Sequence, residues 1–311
     1  VISGTIDIGI GGAVGETGQF TVSGIGATVS QPSLGTLMVG AAANSTGLLH
    51  VDSAGVFSAG ATTIKPTGTL NITGGAFQTP QLTVSGGSVQ SDAAGTATVD
   101  SLMIQNGGHV DLSGAFSPSP LSGMQITVDG TGSHLNLAQP LTLGHFVGGN
   151  LMFDNAALGN LAGGLNLDES FNTNGLATIQ GGAKVVAGDI GVAADGISTQ
   201  STPLLVVQGA GSSLTQTGTA TLNVGVFGAG TFSVGSMKVQ NGGTFTSGTG
   251  PTLVSVNSTL QVLGGTYDAN GDITISASTL TLDAASHFAL APGKTITFKN
   301  DAMVTLNGAF T

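Results

Sequence analysis

The sequence predicts an all-β protein, a parallel β-helix (β-solenoid) forming a single continuous domain over residues 1–311. Three observations lead there. First, six short segments alternate apolar and polar residues around a Gly-Gly corner: LNITGGAFQ from Leu70, LTVSGGSVQ from Leu82, LMIQNGGHVDL from Leu102, ATIQGGAKVV from Ala177, MKVQNGGTFTS from Met237 and LQVLGGTYD from Leu260. Period-2 alternation makes a strand with one buried face, and paired glycines allow a corner where side chains would clash. Second, the corners recur too closely for helical crossovers between parallel strands, so stacked coils remain. Third, 53 glycines, only 9 prolines and 40 % hydrophobic residues exclude both collagen, which needs glycine at every third place, and disorder.

Taken in chain order, the first element is a longer unit, FTVSGIGATVSQPSLGTLMVG (Phe20 to Gly40), which returns as ITVDGTGSHLNLAQPLTLG (Ile126 to Gly144) and LVVQGAGSSLTQTGTATLNVG (Leu205 to Gly225). Each has an apolar-x-apolar strand, then x-Gly-x-Gly-[Ala/Ser], an inward apolar residue and an exit strand ending in Gly. Its corresponding positions are Val22, Val128 and Val207; Gly24, Gly130 and Gly209; Gly26, Gly132 and Gly211; Val29, Leu135 and Leu214. Another strand follows each copy, from Gly47, Gly149 and Gly230. The Gly-Gly units fill the intervals. Asn155 to Asn174 departs most from the pattern and predicts an irregular coil or protruding loop. Glycine every few residues costs a helix roughly 1 kcal/mol each, whereas Val, Thr, Ile and Phe suit a half-buried pleated surface. With coils of about 20 to 25 residues rising about 4.8 Å each, the chain would make on the order of 13 coils and a rod of roughly 60 Å.

Charge removes several classes of function. Sixteen acidic residues face five lysines (Lys65, Lys184, Lys238, Lys294, Lys299) and no arginine, for a net charge of -11. Nucleic acids and anionic membranes need clustered cations, so neither is a predicted partner. No apolar run reaches bilayer-spanning length, and VISGTIDIG at the start has neither a basic leader region nor Met, which suggests a processed or truncated piece of a soluble, exported protein. The absence of Cys and Trp, with abundant Gly, Thr, Ser and Asn, fits an exported surface protein.

The glycine-spaced scheme, above all VQGAGSSLTQTGTATLNVG followed by GAGTFSVGSMKVQNGGTFTSG, resembles the repeat of bacterial autotransporter passengers and of exported proteins with PEP-CTERM sorting signals. The resemblance covers most of the chain and is strongest over Ile2 to Gly60 and Leu204 to Tyr267. It implies a right-handed parallel β-helix, secreted or displayed by a Gram-negative bacterium. The membrane barrel of the one family and the sorting tail of the other do not occur in this sequence, so the resemblance leaves the means of anchoring open.

Because parallel β-helices include pectin-cleaving enzymes, catalytic signals must be weighed. Resemblance to pectate lyases would imply a catalytic Arg, and there is none. Polygalacturonase-like chemistry needs clustered carboxylates. Asp7, Asp52, Asp92, Asp100, Asp111, Asp129 and Asp154 stand singly, and Asp168-Glu169 would point to opposite faces of a strand. His50, His109, His134, His145 and His287 share no metal-binding spacing and read as exposed polar positions, although stacking can join distant ones. Asp268, Asn270 and Asp272 in DANGD alternate like a calcium loop, the single metal candidate; Gly271 at the fourth position and Thr279 in place of the bidentate Glu favour a turn with Asx caps. APGKT (Ala291 to Thr295) ends like a phosphate loop, but Phe288 replaces the first glycine. The Asn-x-Ser/Thr sites at Asn44, Asn71 and Asn257 carry no function in a bacterium, and TQTGTATL from Thr215 lacks the repeated Thr-x-Thr of an ice-binding face.

The sequence therefore predicts a non-catalytic, cofactor-free structural protein for adhesion, matrix or fibre assembly, self-associating head to tail or laterally. The alternative is a protein that binds or cleaves extracellular polysaccharide along a lateral groove, a role in which a lone Tyr267 and no Trp leave little for sugar rings to stack on.

Overall fold

The structure is a computed structural model that describes residues 8–11, 14–31, 35–40, 45–119, 123–144, 148–167, 175–193, 203–228, 231–255 and 257–311. It falls into two compact units, Val1–Gln139 and Pro140–Thr311. Both are parallel β-solenoids, and the described residues contain strands and turns with no helix.

In the first unit one sheet carries Ile8–Ile10, Thr36–Val39, Ala61–Ile64, Ala76–Ser85, Thr96–Gln105 and Gln125–Asp129. A second carries Thr17–Ser23, Thr46–Asp52, Gly68–Thr73, Ser88–Ser91, His109–Leu112 and His134–Leu137. The third side is short. Thr28–Ser30 and Val56–Ser58 run into the first halves of Ala76–Ser85 and Thr96–Gln105, two long strands that serve both sides of the coil.

The second unit separates the sides into three sheets. The first begins Gly149–Asp154, Gly175–Ile179, Leu204–Gln208 and Ser236–Gln240; the second Leu158–Leu161, Lys184–Ala187, Ser213–Gln216 and Thr244–Thr246; the third Leu141–Leu143, Leu165–Leu167, Ile190–Val192 and Leu222–Val224. Leu158–Leu161 and Leu165–Leu167 are regular members of these ladders, so the stretch expected to be irregular forms ordinary coil up to residue 167; 168–174 lie outside the described residues. An antiparallel hairpin, Val226–Gly228 with Thr231–Ser233, leaves the coil path.

Register shows how the coils stack. Thr69 pairs with Ser88, 19 residues on, whereas Ser213 pairs with Thr244, 31 residues on, a wider range than the repeat predicts. The strands keep their places and the connections absorb the difference. Inward residues form columns: Leu49, Leu70, Val89, Val110 and Leu135 in the first unit, Leu205, Met237, Leu260 and Leu280 in the second, all at most 1 % exposed. Each such side chain contributes about 1.5–3 kcal/mol by leaving water. Phe245, Tyr267, Phe288 and Phe310 add an aromatic column with ring centroids 5.0, 4.9 and 5.4 Å apart.

The Gly-Gly corners divide their labour. In Gln105-Asn106-Gly107-Gly108 the two central residues have φ of 54° and 75°, and Gly108 N donates to Gln105 O at 3.0 Å, the pattern of a type I′ turn. Gly107 faces open space, but a Cβ on Gly108 would sit 2.4 Å from the Val84 carbonyl oxygen of the preceding coil. One glycine supplies the backbone angle and the next supplies the close approach.

Candidate functional site

Of the carboxylates expected to be solvated, Asp92, Asp100 and Asp154 bond to neighbouring coils, as do Asp189 and Asp283. Asp92 Oδ1 accepts from Gly74 N at 3.0 Å and Gly95 N at 2.7 Å; Asp189 Oδ1 accepts from Thr221 N at 2.7 Å; Asp100 Oδ1 accepts from Ser119 N at 2.7 Å. Asp283 Oδ1 accepts from the Ser286 hydroxyl and from Gly264 N, and these bonds, the Ser286 one first, hold its carboxyl below the usual carboxylate range. Asp92, Asp100, Asp189 and Asp283 each bind a backbone N–H left over where the chain turns. Buried serines do the same: Ser212 Oγ accepts from Gly182 N at 2.9 Å and Ser258 Oγ from Gly235 N at 3.0 Å. An amide row completes the set in the second unit. Gln240 Nε2 donates to Gln208 Oε1 at 2.8 Å, Gln208 Nε2 to Gln180 Oε1 at 2.7 Å, and Gln180 Nε2 to Asp154 Oδ2 at 3.0 Å. The sequence contained this row, since each Gln follows an apolar residue just before a glycine corner, but only register shows that they meet.

Two of the three calcium-loop candidates bond to neighbouring coils. Asn270 Nδ2 donates to Ser247 O at 2.8 Å and its backbone N–H to Ser247 Oγ at 2.9 Å. Asp272 Oδ1 accepts from both Thr295 N, at 2.8 Å, and Thr295 Oγ1, at 3.0 Å, bonds that hold its carboxyl low. Asp268, on strand Thr266–Ala269, carries its side chain on the outer, half-buried face. The phosphate-loop candidate meets the calcium-loop candidate here: Thr295 of APGKT is the partner of Asp272 in DANGD. Tyr267 is fully buried, with its OH 3.1 Å from Thr252 Oγ1, and burial raises its pKa. Among the described residues no three His, Asp or Glu side chains gather closely enough to hold a metal ion. Asp7, Asn44, His145, Asp168 and Glu169 lie outside the described residues.

Stacking does bring histidines into company. His109 and His134 are register partners on successive coils, ring centroids 5.9 Å apart and planes at 72°. His50 lies between a hydroxyl and a carboxylate, with Nε2 3.3 Å from Thr73 Oγ1 and Nδ1 3.8 Å from Asp52 Oδ2. That order is the one a nucleophile, base and acid would take, but the second separation exceeds a hydrogen bond. The N–H groups of Ser53, Ala54 and Gly74, which a reacting oxyanion would need, already donate to Thr73 O, Gly74 O and Asp92 Oδ1.

A groove of ≈ 530 Å³ opens on the outer face of the first unit's second sheet, with Thr69, Ser88, Gln90, His109 and Asp111 in its wall. Corner glycines Gly68, Gly86, Gly87 and Gly107 also line it, and only at Gly107 would a Cβ meet open space. Two polar columns flank it by register, Thr69, Ser88, His109 and His134 in one, His50, Asn71, Gln90, Asp111 and Asn136 in the other. Asp111 is the carboxylate of that wall.

No protein-family model matches the chain, and no curated protein matches it. Among solved structures, a crystal structure of a TibA fragment hyper-glycosylated by TibC is similar at 17 % identity, covering 96 % of this chain and 97 % of that one. The TM-score is 0.28, at which the two backbones do not superpose as wholes.

Proposed function

We propose that this chain is a non-catalytic extracellular structural protein of a Gram-negative bacterium, a β-solenoid that acts through its outer faces in adhesion, matrix or fibre assembly. One observation carries the reading: many of the carboxylates and amides are bonded from coil to coil. Asp92, Asp189, Asp272 and Asp283 hold turn N–H groups, and Asp154, Gln180, Gln208 and Gln240 hold one another. Charged residues make up only 7 % of the chain, so its edges and coil ends carry few of the charges that usually block pairing between copies, the net charge of -11 being the term that opposes it. Sedimentation velocity over a wide concentration range tests this. Reversible association that grows with concentration supports the structural reading, and a strict monomer at the highest concentration counts against it.

A second reading has its own support in the ≈ 530 Å³ groove, whose wall of hydroxyl, amide, imidazole and carboxylate groups suits a polysaccharide strand. Binding to extracellular polysaccharides, weakened by Gln90→Ala, would favour it. Release of reducing ends that disappears in Asp111→Asn would overturn the non-catalytic reading.

A further inference from the structure

We propose that His109 and His134 form a two-histidine site for a first-row transition cation, Cu²⁺ bound most tightly, on the outer face of the first unit. The argument begins with register. The two residues are Cα partners on adjacent parallel strands, His109–Leu112 and His134–Leu137, and alternate with the inward Val110 and Leu135. Both imidazoles therefore leave the same sheet face side by side. The strands beneath them are anchored by buried apolar columns, so the two side chains start from fixed positions.

Ring geometry fits a shared ion. Metal–nitrogen bonds of 2.0–2.1 Å put the centroids of two imidazoles about 5–6 Å apart around a tetrahedral or flattened centre. The centroids of His109 and His134 are 5.9 Å apart, and at 72° between ring planes the pair is T-shaped, one ring's edge toward the other's face, so rotation about the side-chain bonds is needed to bring a nitrogen of each ring to one ion. The centroid separation lies within the span that one ion can bridge. Imidazole pairs suit Cu²⁺, Ni²⁺ and Zn²⁺, and the general order of affinity puts Cu²⁺ first. A hard cation such as Ca²⁺ prefers oxygen and would not choose this pair.

Two protein ligands leave coordination positions open, and the surroundings can serve them through water. Asp111 stands two residues beyond His109 on the same face, in the wall of the groove, with Asn136 as its register partner. A carboxylate on the same face as the imidazoles can order metal-bound water and supply negative charge near the cation. No third ligand is required for binding in the micromolar range, only for the much tighter binding of structural zinc sites.

The test uses the full chain freed of metal and titrated with CuCl₂ alone at neutral pH, by calorimetry and by electron paramagnetic resonance. Expected are one ion per chain and nitrogen hyperfine splitting from two imidazoles. His109→Gln and His134→Gln should each weaken binding by on the order of tenfold or more and reduce the splitting to one nitrogen. A variant with His50, His145 and His287 all changed to Asn should keep both the affinity and the spectrum. Circular dichroism confirms folding, and should either Gln variant fail to fold, the Asn variant at the same position replaces it. Binding that persists in both His109 and His134 variants, binding lost in the triple variant, or no saturable binding below millimolar Cu²⁺ would overturn the proposal.

Discussion

At the residue scale, the corner glycines make a sharp comparison. Gly107 holds φ of 75° with open space where a Cβ would go, so Gly107→Ala carries the left-handed backbone penalty, about 1 kcal/mol. Gly108→Ala drives a Cβ to within 2.4 Å of a backbone oxygen that cannot swing away, and should cost about 3 kcal/mol or more. Urea unfolding of the two variants checks the order. Asp283 gives a prediction of another kind. Its folded pKa is depressed, chiefly by the Ser286 hydroxyl and then by Gly264 N, so its contribution is fully present above the unfolded value of about 3.9. That contribution is lost as the pH falls through the lower folded value. Asp283→Asn should therefore melt below the parent at neutral pH, with the gap closing on acidification below about pH 4; melting curves across pH 2–7 decide it. The sequence marked Gly-Gly pairs as corners because two glycines together have few other uses. It could not assign Asp283, because the N–H that this carboxylate accepts belongs to Gly264, a coil away.

At the scale of elements, the amide row runs along one edge of the second unit's first sheet. Gln208 stands at its middle, accepting from Gln240 and donating to Gln180. Removing it leaves a donor on one side and an acceptor on the other, both half-buried, so Gln208→Ala should cost about 1–3 kcal/mol. Gln90, an exposed amide outside the row, is the control and should cost less than about 0.5 kcal/mol. Chemical denaturation of both variants distinguishes a bonded row from a coincidence of register. Strand positions were legible from alternation and glycine spacing, which is why Leu70, Val84, Ile104 and Val239 are as buried as the pattern demands. What each strand lies against was less legible. Coil length varies between 19 and 32 residues, and partners depend on that length, so the meetings of His109 with His134 and of Asp272 with Thr295 had no signature in either segment alone.

At the scale of the whole molecule, the sixteen acidic residues dominate the charge, with five lysines opposing them. Repulsion among carboxylates is then the main electrostatic term keeping copies apart. Lowering the pH to about 4, where ordinary carboxylates are half protonated, should promote association, and moderate salt at neutral pH should do the same more weakly. Light scattering across both series checks this, with no change in either sinking the idea. Composition settled the broad class because so little charge and so much glycine leave few folds available. It was silent on the groove, whose wall residues Thr69, Ser88, Gln90, His109 and Asp111 come together only through coil register.

The uneven length of the coils has an evolutionary meaning. Thr244 pairs with Ser213 as regularly as Ser88 pairs with Thr69, although the first interval also carries the hairpin Val226–Gly228 with Thr231–Ser233. Lengthening a connection costs only about 0.6 kcal/mol per doubling, far less than shifting a strand by one place. Such a chain can acquire new segments at its corners, one at a time, without renegotiating its core. Novelty enters at the turns, and the ladders inherit none of the disturbance.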